Sequence, residues 1–477
     1  MSAVARIMGD AAAAAAPRRM PSAALLQMLQ AHFGARLCTA PAVLLQHGSD
    51  ESAFAPQPPD AVVYVHSTED VVFAMRACAA ERVPVIGFGA GSSVEGHLLA
   101  VEGGVCIDFS RMNQVLAISP GDLAATVQAG VTRGQLNAAL AGTGLFFSVD
   151  PGADASIGGM VATAASGTNS VRYGVMRDNV VSLTVVLADG ACVRTASHAR
   201  KSAAGYNLTQ LFCGSEGTLG LITEATVRLH PRSEHAAAAV VHFPSLRSAA
   251  DCVIEAVQLG VPLARAELLD TLTVQAVNAH SCTRLAERPT LFLEFGGSQA
   301  HIDEQAGQVR EIAERQGGDA FQWATRPEER ARLWTPRHHA YFACLQLKPG
   351  CRSMTTDVCV PLSCLAQCVE ETQADIAAHG LLAPMLGHVG DGNFHCLVLI
   401  DPLDPAEIEA AEAFSRRLVA RALAHRGTST GEHGVGLHKM RYLLDEHGET
   451  ALSLMRSIKR VFDPDNILNP GKLVGFR

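Results

Sequence analysis

The hydrophobic and polar positions along the chain change period several times. Leu25, Leu26, Met28, Leu29 and Phe33 recur at helical spacing and predict a helix over residues 21–35. A short apolar run predicts a strand at Ala61–Val65. Ser67 and Asp70, at capping-box spacing, open a helix that reaches about Glu81. Strands follow at 83–86, 105–109, 115–118 and 125–128, with a short helix at 132–141. Runs at 180–187 and 191–195 flank Asp189-Gly190 and read as a hairpin. Near Pro231 the composition shifts. Strands at 237–243 and 291–295 then alternate with helices at 246–260, 301–317, 361–379 and 404–425, and a last helix covers 442–462. Residues 151–173 fit neither period. They are dominated by Gly, Ala and Ser, which cannot fill a core but let backbone approach a ligand closely.

Composition narrows the function. Hydrophobic residues make 48% of the 477 and charged residues 18%, enough apolar surface for sizeable cores. The net charge of −9, without a basic tract interleaved with aromatics, disfavours a nucleic-acid partner. Thirteen scattered cysteines without paired CxxC motifs fit reduced thiols and a cytoplasmic setting. No apolar run is long enough to predict a membrane span. Residues 1–20 read as a frayed leader, because Arg18 and Arg19 follow the alanine run instead of preceding it as in a signal peptide.

Two glycine-rich stretches carry candidate chemistry. Gly87-Phe88-Gly89-Ala90-Gly91-Ser92-Ser93 follows a strand, but the third glycine of a dinucleotide-binding loop is replaced by Ser92, and residues 93–97 do not start a helix. The loop is then either a nest of amides for an anion or a tight turn between strands. Downstream come Pro151-Gly152-Ala153-Asp154-Ala155-Ser156-Ile157-Gly158-Gly159, Ala165-Ser166-Gly167-Thr168-Asn169, Arg172-Tyr173-Gly174 and Gly214-Ser215-Glu216-Gly217-Thr218-Leu219-Gly220. This succession, over residues 56–233, resembles the FAD-binding domain of the vanillyl-alcohol oxidase superfamily. The resemblance implies that Gly87, Gly89, Ala90, Gly91, Ser92 and Ser93 bind FAD together with Pro151, Gly152, Ala155, Ser156, Gly159, Ala165, Ser166, Gly167 and Thr168. It brings Glu216 and Ile222 towards the adenine half. Residues 87–93 contain no histidine, so the implied FAD is non-covalent.

A second constellation lies near the C-terminus, in Gly387-His388-Val389-Gly390-Asp391-Gly392-Asn393-Phe394-His395. If Asp391-Gly392 is a two-residue type I′ turn, His388 faces His395, and opposed residues on one face have Cβ atoms about 5 Å apart. Such a pair can share a metal ion. Glu432, in a glycine-rich segment, offers a third ligand, and two histidines with one carboxylate suit catalytic Zn²⁺, Fe or Mn. His388, His395, Glu432-His433 and the ending Asn466-Ile467-Leu468-Asn469-Pro470-Gly471-Lys472 resemble the metal-dependent flavin dehydrogenases of D-2-hydroxy acids. So do residues 203–208, 334–338 and 356–361.

That resemblance extends to the chain end and implies an α+β architecture: a two-subdomain PCMH-type FAD-binding domain plus an α+β substrate (cap) domain with an antiparallel sheet. Its boundaries would be 1–55 for leader and helix, 56–233 for the FAD domain, 234–440 for the substrate and metal domain, and 441–477 for a C-terminal segment returning to the FAD domain. It implies oxidation of D-lactate or a similar 2-hydroxy acid, with glycolate and D-2-hydroxyglutarate dehydrogenases and a non-redox flavin-fold transferase as alternatives. His388, His395 and Glu432 would hold a divalent metal, Zn²⁺ or Mn²⁺. His433 would be the general base, Arg337 would grip the substrate carboxylate with Arg352 as a weaker candidate, and Asn469 would lie at the cofactor. The implied partners are the small substrate and an electron acceptor (cytochrome, quinone or electron-transfer flavoprotein), with a homodimer left open. The implied location is the cytoplasm, peripheral to the inner membrane or not, and the mitochondrion in a eukaryote.

Overall fold

The computed structural model describes residues 17–52, 54–199 and 201–476. They form two compact units. One runs up to Gly167 and adds Tyr173–Arg232 and the segment from Glu432 onward. The other comprises Thr168–Arg172 and Ser233–Gly431.

The first unit contains two main sheets. A four-stranded sheet has the order Leu37–Cys38, Ala61–Tyr64, Val105–Asp108, Val85–Phe88, the last three parallel. Parallel strands are covered on both faces, so they read as apolar runs without alternation. Val62, Val63, Val85, Val105 and Ile107 are fully enclosed. A five-stranded antiparallel sheet has the order Val115–Ser119, Ala124–Gln128, Leu221–Arg228, Val180–Val186, Cys192–Arg194. The helix Thr68–Ala80 starts where expected, with Ser67 accepting from the Asp70 amide. The reciprocal half of the capping box does not form as expected. The Asp70 carboxylate instead accepts from the His66 amide at 2.9 Å and pairs with Arg36.

Of the expected frayed leader, residues 1–16 lie outside the described residues. Arg18 and Arg19 are not frayed. Arg18 pairs with Asp60 at 2.9 Å and Arg19 with Glu102 at 2.8 Å.

The second unit is built on an antiparallel sheet with the order Asp319–Ala324, His235–His242, Thr290–Gly297, Arg265–Leu269, Met385–Gly387, Asn393–Ile400, Arg352–Thr355. Val358–Cys359 adds to Asn393–Ile400. Helices Leu246–Gln258, Thr271–Ser281, Gln299–Arg315, Pro327–Leu345, Leu365–Ala378 and Pro405–Ala424 belong to the same unit. The molecule is thus α+β, with one mixed sheet and larger antiparallel ones.

Candidate functional site

In the first unit the glycine-rich loop leaves the strand Val85–Phe88, which includes Gly87, and residues 89–104 contain no helix. Gly89 faces Ser156 so closely that an added Cβ would overlap the serine Oγ. Gly91 has φ +76°, a conformation that favours glycine. Ala90, Ser92 and Ser93 continue this irregular turn, and the Ser93 carbonyl accepts from the Glu51 amide. The two small-residue stretches are therefore brought together at Gly89 and Ser156, as a ligand-cradling backbone requires.

Pro151, Gly152 and Ala155 lie in an irregular segment that bends at Gly152 before Ser156, and a Cβ at Gly152 would meet open space. Ser156 caps the helix Ile157–Thr163 through the Gly159 amide at 3.3 Å. Gly158 donates to Ala129 and has no room for a side chain there. Ala165 and Ser166 are buried, Gly167 packs against Asp150, and Ser166 donates to Glu432 at 2.9 Å. Thr168 belongs to the short segment that joins the second unit.

Glu216, Ile222 and Asn469 hold the first unit together. The Glu216 carboxylate accepts from the amides of Val435 at 2.6 Å and Gly436 at 2.9 Å, and His97 lies 3.3 Å from it. Ile222 is a buried strand residue opposite Val185. Asn469 donates to the carbonyls of Glu216 at 2.8 Å and His97 at 3.2 Å, and its amide bonds to Val85. Lys472, beside it, reaches the Leu99 carbonyl at 2.6 Å, and burial pushes its pKa down to about 7.

The segment 432–439 is thus clamped from two sides. Glu95, only 1% exposed, faces His433 Nδ1 at 3.4 Å, His438 Nδ1 at 2.9 Å and Lys439 Nζ at 3.1 Å. Burial alone would raise the Glu95 carboxyl, but Lys439 and the two histidines hold it well below the usual range. With Nδ1 facing the Glu95 carboxylate, Nε2 is the ring nitrogen of His433 that this contact leaves out.

In the second unit His388 and His395 meet, but not by the expected turn. Leu386 opposes His395 and Met385 opposes Cys396, so His388 falls opposite Asn393. Asp391 does not adopt the positive φ that a type I′ turn demands of both central residues; Gly392 does, at +87°. The pairing has slipped by two residues from that expectation. A side chain changes face with each single step, so a slip of two leaves both histidines on one face. They are diagonal neighbours, with ring centres 5.5 Å apart.

Each ring is fixed at Nδ1. His395 Nδ1 donates to the Thr356 carbonyl at 3.1 Å, and His388 Nδ1 donates to Glu267 Oε1 at 2.7 Å. A carbonyl only accepts, so the proton sits on Nδ1 and the lone pair on Nε2. Two imidazoles with Nδ1 tied to oxygen and Nε2 basic match the donor set of a divalent metal site. Asp357, 1% exposed, stands beside His395. It accepts from Asn393 at 2.8 Å and Thr430 Oγ1 at 2.8 Å, and lies 3.7 Å from His395.

Arg337 sits on the helix Pro327–Leu345, with Nε 2.8 Å and Nη2 2.6 Å from Glu267 Oε2. Burial alone would raise the Glu267 carboxyl; His388 and Arg337 hold it below its ordinary value. Arg352 is exposed on its strand. Sequence reasoning missed Glu267 and Glu95. The available signal for Glu267 was a lone carboxylate in the apolar run Ala266–Leu269, and for Glu95 a carboxylate just past the glycine-rich loop.

Comparison with known proteins shows the family of the chain. Residues 232–473 match the C-terminal domain of FAD linked oxidases, and residues 59–196 match an FAD binding domain. A probable mitochondrial D-lactate dehydrogenase from Danio rerio is 50% identical over 91% of this chain and 88% of its own length. A mitochondrial D-lactate dehydrogenase (cytochrome) from Arabidopsis thaliana is 46% identical over 90% and 76%. Among solved structures, 4-ethylphenol oxidase from Gulosibacter chungangensis superposes with a TM-score of 0.79 over 96% of this chain and 98% of its own, at 21% identity, which speaks to fold alone.

Proposed function

We propose a function from one premise: the chain belongs to the family of FAD-linked oxidases, and it is an FAD-dependent D-lactate dehydrogenase. The substrate assignment rests on relatives of that name at 46–50% identity. The observation that carries the chemistry is the diagonal histidine pair, with both Nδ1 atoms tied to oxygen acceptors.

Oxidation of D-lactate to pyruvate removes the proton of the hydroxyl and, from the carbon that bears that hydroxyl, a hydride. FAD, when bound, supplies a two-electron acceptor that takes the hydride at N5. A divalent metal, Zn²⁺ or Mn²⁺, when bound by His388, His395 and Glu432, supplies the Lewis acidity that lowers the hydroxyl pKa. Glu432 is the residue after Gly431, which packs against Asn393 and Asp357 beside His395. His433 accepts the hydroxyl proton at Nε2 while its Nδ1 faces Glu95. Arg337 grips the substrate carboxylate with donors of its guanidinium fork. The small-residue loops at 87–93 and 151–168 cradle the flavin by backbone and hold it without a covalent bond.

Electrons leave to a cytochrome, quinone or electron-transfer flavoprotein. No helix among the described residues is long and apolar enough to cross a membrane. In a eukaryote the enzyme works in mitochondria. The test is turnover of a panel of D- and L-2-hydroxy acids with a dye acceptor, before and after chelation. D-lactate should be preferred and chelation should abolish turnover. Equal use of L-lactate, or turnover indifferent to chelation, would refute the reading.

A further inference from the structure

We infer that Glu267 is a positioning residue that couples metal affinity to recognition of the substrate carboxylate. The inference rests on the reading of His388 as a ligand and Arg337 as the carboxylate's partner, and it goes beyond that reading by making the two functions share one side chain. Glu267 is fully enclosed. One oxygen, Oε1, accepts from His388 Nδ1 at 2.7 Å. The other, Oε2, accepts from Arg337 Nε at 2.8 Å and lies 2.6 Å from Nη2.

The backbone under it is rigid. Glu267 lies on the strand Arg265–Leu269, paired on one side through Glu267↔Phe292 and on the other through Leu268↔Gly387. Its side chain is therefore delivered from a central strand, not from a loop. A carboxylate has two oxygens that only accept. An amide of the same size has one acceptor and one donor, so it must turn its NH₂ towards either His388 or Arg337. In an enclosed site no water replaces the lost partner, and a buried donor left unpaired is costly.

Two consequences follow for the chemistry. The bond from Glu267 Oε1 selects the His388 tautomer with its lone pair on Nε2, and it raises the basicity of that nitrogen. Oε2 faces the guanidinium at Nε and Nη2, so the two donors on Nη1 and the second N–H of Nη2 are what Arg337 offers to a carboxylate. Movement at either partner is felt by the other through a single planar group.

The test uses the full-length flavoprotein, stripped of metal and titrated with Mn²⁺ or Zn²⁺, with affinity read by equilibrium dialysis and no substrate present. Glu267→Gln should lower metal affinity by about 10- to 100-fold, raise the KM for D-lactate, and leave flavin content and the circular-dichroism spectrum unchanged. Glu267→Asp, which keeps two acceptors, should recover part of both losses; a merely structural role would show no such paired recovery. Should Glu267→Gln fail to fold, Arg337→Met carries the test. It removes no ligand, yet metal affinity should shift by roughly twofold or more through the shared carboxylate. Unchanged metal affinity in both Glu267→Gln and Arg337→Met, while His388→Ala loses metal, would overturn the inference and leave the metal reading standing. Retention of metal by His388→Ala would overturn the metal reading, and this inference with it.

Discussion

In the first unit the candidate flavin loops are held by backbone crowding; in the second the candidate metal residues are held by side-chain hydrogen bonds. Gly89 against Ser156, Gly158 against Ala129 and Gly167 against Asp150 leave no room for a Cβ. His388 and His395, by contrast, take their orientation from Glu267 and Thr356, with Asp357 beside them. The difference teaches where each unit is vulnerable. A flavin is large and contacts backbone over a long path, so shape is decisive and one methyl matters. A small ion needs two or three atoms at set positions, so the partners of those atoms matter more than volume. The histidine of the first unit follows the rule of the second: His433 faces an enclosed carboxylate, Glu95, which also holds a permanent cation, Lys439. Glu267 does the same for His388, with Arg337 as the cation.

The comparison breaks most visibly at the ligands. His388→Ala or His395→Ala should lose metal and reduce turnover by about three orders of magnitude, the rate equivalent of several kcal/mol of Lewis-acid stabilisation. Metal content, dye reduction and the flavin spectrum check this together. Loss of flavin along with metal would show that the two vulnerabilities are not separate. His433→Ala should cost about 10²- to 10⁴-fold in rate and keep both metal and flavin. Glu432→Ala should lose metal. If His433→Ala lost the metal and Glu432→Ala kept it, the two roles would be reversed.

A methyl group sharpens the other side. Gly89→Ala pushes a Cβ into Ser156, an overpacking of about 1–3 kcal/mol. Flavin content after purification should drop while Mn²⁺ binding stays as in the parent. Gly89→Ala with full flavin would mean that the contact at Ser156 is not part of the cradle. In the parent protein, acid denaturation should release all the flavin to the supernatant; flavin that stays with the pellet would reveal a covalent link.

Much of this was legible in the chain. Helices with a clean apolar stripe and a cap appeared where expected, as at Ala23–Phe33, Thr68–Ala80 and Pro405–Ala424. The hairpin at Val180–Val186 and Cys192–Arg194 formed around Asp189-Gly190. The helix Pro327–Leu345 escaped notice because Pro336 lies inside it, and a proline in a helix interior lacks the donor that periodicity presumes. The histidine turn was placed but its register was not, because Asp-Gly favours a tight turn only where both residues can take positive φ. Glu95 and Glu267 left only a local trace, a carboxylate beside glycine-rich or apolar residues. What gives them a role is enclosure next to a histidine and a cation far away in sequence, which no local pattern encodes.

The smallest expected effect concerns a half-buried carboxylate in the second unit. Asp270 caps the helix Thr271–Ser281, accepting from the Thr273 amide at 2.8 Å, and its own amide bonds to Met385. Burial raises its pKa from an ordinary 3.8 to about 6, and the bonds to Thr273 and Met385 only partly oppose that. The folded chain then binds its proton more strongly than the unfolded chain. Stability from this group is therefore complete below about pH 4, falls as pH rises towards 6, and stays lost above. For Glu267 and Glu95 a nearby cation outweighs burial; for Asp270, among the described residues, only hydrogen bonds oppose it, so burial wins. Asp270→Asn keeps an Oδ1 acceptor for the cap and removes the titration. The variant should melt at the parent's temperature near pH 4 and above it at pH 7–8, by about 2–4 °C for each kcal/mol recovered. Paired melting curves across that range decide it. A loss at pH 7–8, or an advantage equal at every pH, would show that the Asp270 charge is carried there without cost.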